Sequence, residues 1–213
     1  MIEIPEAISL SRQINETLRG KSIDNVVANQ SPHKFAWYFG DPGEYDSKLK
    51  GKSIERANAH GGYIEISLGD TKLLLGEGLN LRCLIKGEKW PQKHQLLIQF
   101  EDESAFVVSV QMYGGIWCFE GEQFDNTYYR VAKEKPSPLY ERFDMDYFER
   151  IRSDESLKNK SLKFFLATEQ RIPGLGNGVL QDILFNARLH PKRKLSTLSK
   201  EETEKLYHSI KST

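Results

Sequence analysis

The stretch Glu169-Gln-Arg-Ile-Pro-Gly-Leu-Gly-Asn177-Gly178 carries the residue types of a clamp for phosphate. Glycines at 174, 176 and 178 let a backbone turn with positive φ and approach a ligand closely. Asn177 stands among them, at the start of the apolar run Val179, Leu180, Ile183, Leu184. A helix beginning there presents backbone N–H groups and the positive end of its dipole, and both suit a phosphate. Downstream, Arg188, His190, Lys192, Arg193 and Lys194 put positive charge close in sequence. Taken alone, the loop also matches a common helical hairpin with a glycine turn. A second set of chemical groups lies at the other end of the chain, where Glu3 and Glu6 follow the N-terminal amine. Taken alone, these are exposed acids on a first helical turn, favourable with its dipole.

The elements that must hold these groups are legible from periodicity. Residues 6–19 place Ala7, Ile8, Leu10, Ile14 and Leu18 near helical spacing and stop at Gly20. From Ser22 to Phe119, β-rich runs such as Gly62-Tyr-Ile-Glu-Ile-Ser-Leu and Ala105-Phe-Val-Val-Ser-Val alternate with glycine and acidic turns. That spacing suggests an antiparallel sandwich. Pro136 and Pro138, set among charges, mark a linker over 133–140. Beyond it, helical patterns cover 144–151, 161–171, 177–187 and 199–211, the last opened by the capping box Ser199-Lys-Glu-Glu202. The expected fold class is α+β. An N-terminal helix and antiparallel β-sandwich occupy 1–132, and a helical domain occupies 141–213.

Composition sets limits on function. The chain has 213 residues, 38% of them apolar, which is enough for a core in one large domain or two modest ones. No apolar run has the length of a membrane span and no secretory signal is visible, so the expected place is the cytoplasm. Cys83 and Cys118 fall in apolar, strand-like contexts and are expected to be buried thiols. Neither belongs to a Cys-x-x-Cys pair, so no metal ligand set is expected. Net charge is zero, but from Lys133 onward 16 basic residues face 12 acidic ones. That excess permits nucleic-acid binding through the C-terminal half.

Several segments together point to a family. Gln170–Lys194, with Gly-Leu-Gly-Asn, then Leu-Gln-Asp-Ile-Leu-Phe-Asn-Ala, then Leu-His-Pro-Lys-Arg, closely resembles the helix–two-turn–helix of the formamidopyrimidine-DNA glycosylase and endonuclease VIII (Fpg/Nei) family. The opening Met1-Ile-Glu3-Ile-Pro5-Glu6-Ala7 resembles that family's Pro-Glu-Leu-Pro-Glu-Val, which is exposed once the initiator Met is removed. Leu18-Arg-Gly20-Lys-Ser-Ile23 adds a helix end leading into a strand. The motifs stand in the family's order near opposite ends, so the resemblance spans nearly the whole chain. It implies a partner, double-stranded DNA with a damaged or abasic nucleotide, bound by a monomer associated with the nucleoid. It also implies a reaction. An N-terminal amine attacks the deoxyribose C1′, the base is expelled, and carboxylates move the protons of β-elimination.

The resemblance assigns candidate residues and marks departures. In most members the amine belongs to a proline; here Ile2 stands in its place, and a large second residue leaves Met1 attached. Met1 or Ile2 would carry the amine, with Glu3 as proton-transferring acid and Glu6 as its support. The family's hairpin lysine falls at Gly62, with His60 two residues away as partial compensation for a phosphate contact. The residues that fill the void left by a flipped nucleotide match Gly76–Asn80 and Gln111-Met112-Tyr113, where Tyr113 replaces a phenylalanine and Met112 or Gln111 serves as wedge. The backbone clamp of Gly176, Asn177 and Gly178 is kept, with Lys192, Arg193 and Lys194 adding attraction. The family's zinc finger has no counterpart in this sequence, so no cofactor is expected. Three functions follow. One is a repair glycosylase with a weak or lost lyase step. The others are a non-catalytic binder of damaged, abasic or bent DNA, and an RNA binder, which the N-terminal match disfavours.

Overall fold

The structure, a computed structural model, describes residues 1–213. They form two compact units, Met1–Asn126 and Thr127–Thr213.

The first unit begins with helix α1 (Ile4–Thr17), which buries Ile4, Ala7, Ser11 and Ile14 on one stripe. Pro5 lies in its first turn, where no N–H is needed, and Gly20, at φ +81°, turns the chain out of the helix. Strands β1 (Ile23–Ala28) and β2 (Ala36–Tyr38) and the short helix α2 (Tyr45–Leu49) follow. Then come β3 (Arg56–His60), β4 (Tyr63–Leu68), β5 (Thr71–Leu84), β6 (Leu96–Phe100) and β7 (Ala105–Glu120). All seven strands join in one sheet of order β1-β6-β7-β5-β4-β3, with β2 pairing β7 from the side. The expected sandwich is therefore built from a single sheet that runs through its two long strands, β5 and β7. One pair breaks the antiparallel rule, because β2 runs parallel to β7. β3 has few β-formers and takes its place by pairing with the wholly buried β4 through a Gly61-Gly62 turn, with Gly61 at φ +57°. The core joins Ile14 of α1 and its C-cap Leu18 to Ile64, Ile66, Leu73, Phe106 and Val108 of the sheet.

The second unit is helical: α3 (Thr127–Glu134), α4 (Met145–Arg152), α5 (Leu162–Ala167), α6 (Asn177–Ala187) and α7 (Lys200–Ser212). Three features differ from expectation. α3 occupies residues placed at the end of the first domain and the start of the linker; its buried Tyr129 and Ala132 give it an apolar side, and the prolines come only after its end. α5 stops at Ala167 because Glu169 and Gln170 take positive φ, of 58° and 51°. Cys83 is exposed, near the outer end of β5 where the strand leaves the core, whereas Cys118 is buried as expected. No helix is long and apolar enough to cross a membrane.

Candidate functional site

Each unit carries its own part of the candidate site. In the first, the N-terminus is fixed by two contacts. The Ile2 side chain is 5% exposed, and its N–H donates to the Glu77 carbonyl at 2.7 Å. Burying an isoleucine side chain contributes about 1.5–3 kcal/mol, so the backbone at residue 2 is anchored. Met1 stays outside, 56% exposed.

Glu77, the residue that receives this anchor, is backbone-strained at φ +71°, a conformation that costs about 1 kcal/mol or more for a non-glycine residue. The glycines on either side are there for close approach. A Cβ on Gly76 would strike the Tyr63 ring, and one on Gly78 would sit 2.8 Å from the Tyr113 carbonyl oxygen. Burial pushes the Glu77 carboxyl up from its ordinary range, and the N-terminal ammonium pulls it the other way, so the two groups are within electrostatic reach. Glu77 lies in the Gly76–Asn80 segment matched to the void-filling residues, but its part in anchoring residue 2 was not foreseen. A charged residue between two glycines at a strand bulge was the available signal.

Opposite Gly78, the ladder slips. Glu77 pairs with Gly114 and Leu79 with Val110, so three residues of β7 face one of β5. Such a bulge pushes its extra residues out of the sheet, and Met112 is accordingly 72% exposed. Beside it lies a cleft of about 570 Å³, lined among others by Met1, Ile2, Glu6, Gln111, Met112 and Tyr113. The fold thus gathers the N-terminal residues, one of the two acids and the three candidate void-filling residues in one place.

The two acids divide their work. Glu3 is the N-cap of α1 and is buried, not the exposed acid that its position on a first turn suggests, because it forms a capping box with Glu6. The Glu3 N–H donates to Glu6 Oε2 at 2.7 Å. Glu6 is the acid that reaches the cleft wall. His60, at the end of β3, does not line the cleft; its Nε2 lies 3.7 Å from the buried Glu65 carboxylate.

In the second unit, α6 starts at Asn177 with Gly176 as its N-cap, a residue with no side chain to close over the helix start. Asn177 and Gly178 are both exposed. The preceding turn is held by Arg171, only 8% exposed. Its guanidinium donates to the carbonyls of Phe164 at 3.1 Å and Thr168 at 3.0 Å, pairs with Glu169, and covers the Phe164 ring. This staple ties the turn to the end of α5. Asn177 also borders a groove of about 750 Å³ with Lys163, Arg188 and His190. The downstream basic run is weaker than its sequence suggests. Arg193 is paired bidentately with Glu202, one contact being 2.7 Å, and donates to the Thr197 carbonyl, which leaves Lys192 and Lys194 as the exposed cations.

Comparison with known proteins bears on the whole chain. The profile of the formamidopyrimidine-DNA glycosylase N-terminal domain matches residues 1–149, and that of the formamidopyrimidine-DNA glycosylase H2TH domain matches residues 135–213. The chain belongs to the formamidopyrimidine-DNA glycosylase family. Among its relatives, the formamidopyrimidine-DNA glycosylase of Lactobacillus delbrueckii subsp. bulgaricus is 28% identical over 100% of this chain and 76% of its own length. That of Bacillus cereus is 23% identical over the same shares. The fold matches Lactococcus lactis Fpg solved with abasic-site DNA, at a TM-score of 0.81 and 22% identity over 98% of this chain and 76% of that one. MutM in complex with carbocyclic 8-oxo-G DNA gives a TM-score of 0.80 at 23% identity, with the same coverage. Within residues 1–213 no three or more His, Cys, Asp or Glu side chains are grouped to hold a metal ion.

Proposed function

We propose that this chain is a base-excision-repair DNA glycosylase that acts on double-stranded DNA carrying an oxidised base or an abasic site, with a weak or lost lyase step. The observation that carries this reading is the cleft of the first unit. In a chain matching the glycosylase family through both halves, the N-terminus opens beside Glu6, Gln111, Met112 and Tyr113.

The chemistry follows from those groups. A neutral amine nitrogen forms a bond to C1′ as the C1′–base bond breaks, and the base leaves with a proton. Ring opening then gives a Schiff base. A carboxylate removes a C2′ proton, and the electron pair expels the 3′ phosphate. Glu6 stands where it can take a proton from a cleft-bound group, and Glu3 holds Glu6 in place through the capping box. Met112 and Tyr113 fill the space vacated by the flipped nucleotide. In the second unit Asn177 donates its amide to a backbone phosphate, and Lys192 and Lys194 supply sequence-independent attraction. None of these steps calls for a cofactor. The protein acts as a monomer in the cytoplasm, on the chromosome.

A second reading, a binder that recognises damaged DNA without cutting it, is favoured by the anchoring of residue 2. With Met1 attached, the nitrogen bonded to Glu77 is an amide and no nucleophile. Borohydride trapping on a duplex with one abasic site, followed by intact mass of the N-terminal peptide, separates the two. A covalent adduct at Met1 or Ile2 supports the enzyme. Tight binding with no adduct, together with no base release from a second duplex carrying an oxidised base, supports the binder.

A further inference from the structure

β2 brings an aromatic residue against Tyr113, one wall of the cleft, that none of the chemistry above uses. Its register, Ala36 opposite Gly114, Trp37 opposite Gly115 and Tyr38 opposite Ile116, alternates the strand's side chains between two faces. Ala36 and Tyr38 pack on the core, and the Tyr38 hydroxyl donates to the Gln95 carbonyl at 3.0 Å. Trp37 points the other way and remains 45% exposed. The space over its register partner Gly115 is taken by the Trp117 ring, which a Cβ there would approach to 1.9 Å. Trp37 leans onto Tyr113, with ring centroids 6.0 Å apart and planes at 40°.

This pair is the end of an aromatic row. Trp117 and Phe119 follow along β7, with Phe124 tilted against the first at 5.4 Å and stacked on the second at 5.0 Å. Those inner rings are 8% and 3% exposed and belong to the packing. Only the last rung is open, and it adjoins the cleft through Tyr113. The strand leading into it carries charge beside more aromatic surface. Phe35 is 45% exposed, Lys34 Nζ lies 5.3 Å from its ring centroid, and His33 stacks edge-on to it. A flat, half-exposed ring held rigidly by a sheet, with a cation alongside, is the surface on which an unstacked base rests while its phosphate is neutralised.

We propose that Trp37, seated on Tyr113, stacks the nucleobase left unpaired at the lesion, and so sets the preference for damaged over intact duplex. This rests on the DNA-repair reading above. The test is equilibrium binding to two duplexes of one sequence, one intact and one with a single abasic-site analogue opposite 2-aminopurine. Base–aromatic stacking is worth about 1–3 kcal/mol per base, so Trp37→Ala is expected to lower affinity for the lesion duplex about 5- to 150-fold. Affinity for the intact duplex should change less than about twofold, since stacking acts only on an unstacked base. Trp37→Leu, which keeps apolar volume without a π face, should behave like Ala; Trp37→Phe should retain most of the effect. Wild-type protein should quench 2-aminopurine, and Trp37→Ala should not. Equal losses on both duplexes, or no loss on either, would overturn the assignment of Trp37 while leaving the repair reading intact. A wild-type protein with no preference for the lesion duplex would sink both.

Discussion

Tyr45 is the side chain that ties the residue following β2, Phe39, to β7, and its hydroxyl can be removed with little change of shape. The residue is fully buried. Its oxygen accepts from the N–H groups of Phe39 at 3.1 Å and Cys118 at 3.2 Å, and its single proton goes to the Ile116 carbonyl at 2.9 Å. Both lone pairs and the proton are thus in use. Burial outweighs the two N–H donations and pushes the phenol up to about 12, so the group is neutral at any ordinary pH. Tyr45→Phe therefore removes hydrogen bonds and no charge. It leaves two buried N–H groups and one carbonyl short of a partner, at about 1–3 kcal/mol for each fully orphaned group. The two residues of β7 keep their sheet pairing with β5, so a total near 2 kcal/mol is the expectation. With roughly 2.1 cal/mol/K of unfolding entropy per residue, this lowers Tm by about 7 °C if the unit Met1–Asn126 melts alone, or by about 4–5 °C if all 213 residues melt together. Calorimetry at pH 7 reads the shift. Because the native phenol titrates above the unfolded one, wild-type stability is fully present below pH ~10 and declines above it. The gap to Tyr45→Phe should be constant from about pH 6 to 9 and narrow above 10. A shift below about 2 °C at pH 7 would refute the view that this hydroxyl ties Phe39 to β7.

Three further outcomes are expected. Asn177→Ala should weaken binding to all duplexes alike, by about 1–2 kcal/mol or roughly 5- to 30-fold for a bond to a charged acceptor, with the salt dependence unchanged because no cation is lost; unchanged affinity sinks the clamp. Arg171→Met, which keeps side-chain volume, should destabilise the second unit by about 2–3 kcal/mol, since several carbonyls lose their donor; a variant melting like wild type would show that the turn holds itself. Glu77→Gln should raise stability at pH 7, because burial raises the native carboxyl and makes its ionisation costly. That gain should close as pH falls through the ordinary glutamate value near 4.3, and denaturant midpoints at pH 7 and pH 4 that show no such convergence would refute the burial argument.

The elements with strong periodicity were legible in the sequence, and the reasons are local. α1, α6 and α7 announce themselves by apolar spacing and caps, Ser199 and Glu202 above all. β4 and the first half of β5 read as runs of β-formers. β2 and β3 did not, because their pairing is imposed from outside, by β7 and β4. α3 hid behind the prolines that follow it. At the site, Asn177 and the residues from Gln111 to Tyr113 were visible because glycines and a family pattern surround them. The parts played by Glu77 and Trp37 were not. One matters through its carbonyl and a strained φ, and the other through a parallel strand register that joins residues far apart in sequence.

The fate of the lyase step turns on one residue of displacement. In most of the family the nitrogen of the second encoded residue is the free amine; where Met1 is retained, that nitrogen is here an amide whose N–H lies 2.7 Å from the Glu77 carbonyl. The amine then sits one residue further out, about 3.8 Å per Cα step, on a residue that is more than half exposed. Proximity effects are steep, and a misplacement of about 1 Å can cost 10²-fold in rate. Glu77 cannot restore the geometry, because its carbonyl fixes residue 2 rather than residue 1. The recognition parts need no such registration. On the proposed reading, the exposed Met112 on its bulge, the half-exposed Trp37 ring and the start of α6 act on shape and backbone charge. Selection of damaged DNA should therefore survive in this chain even where strand cleavage has faded, and an adduct on Met1, if trapped, should form orders of magnitude more slowly than base recognition equilibrates.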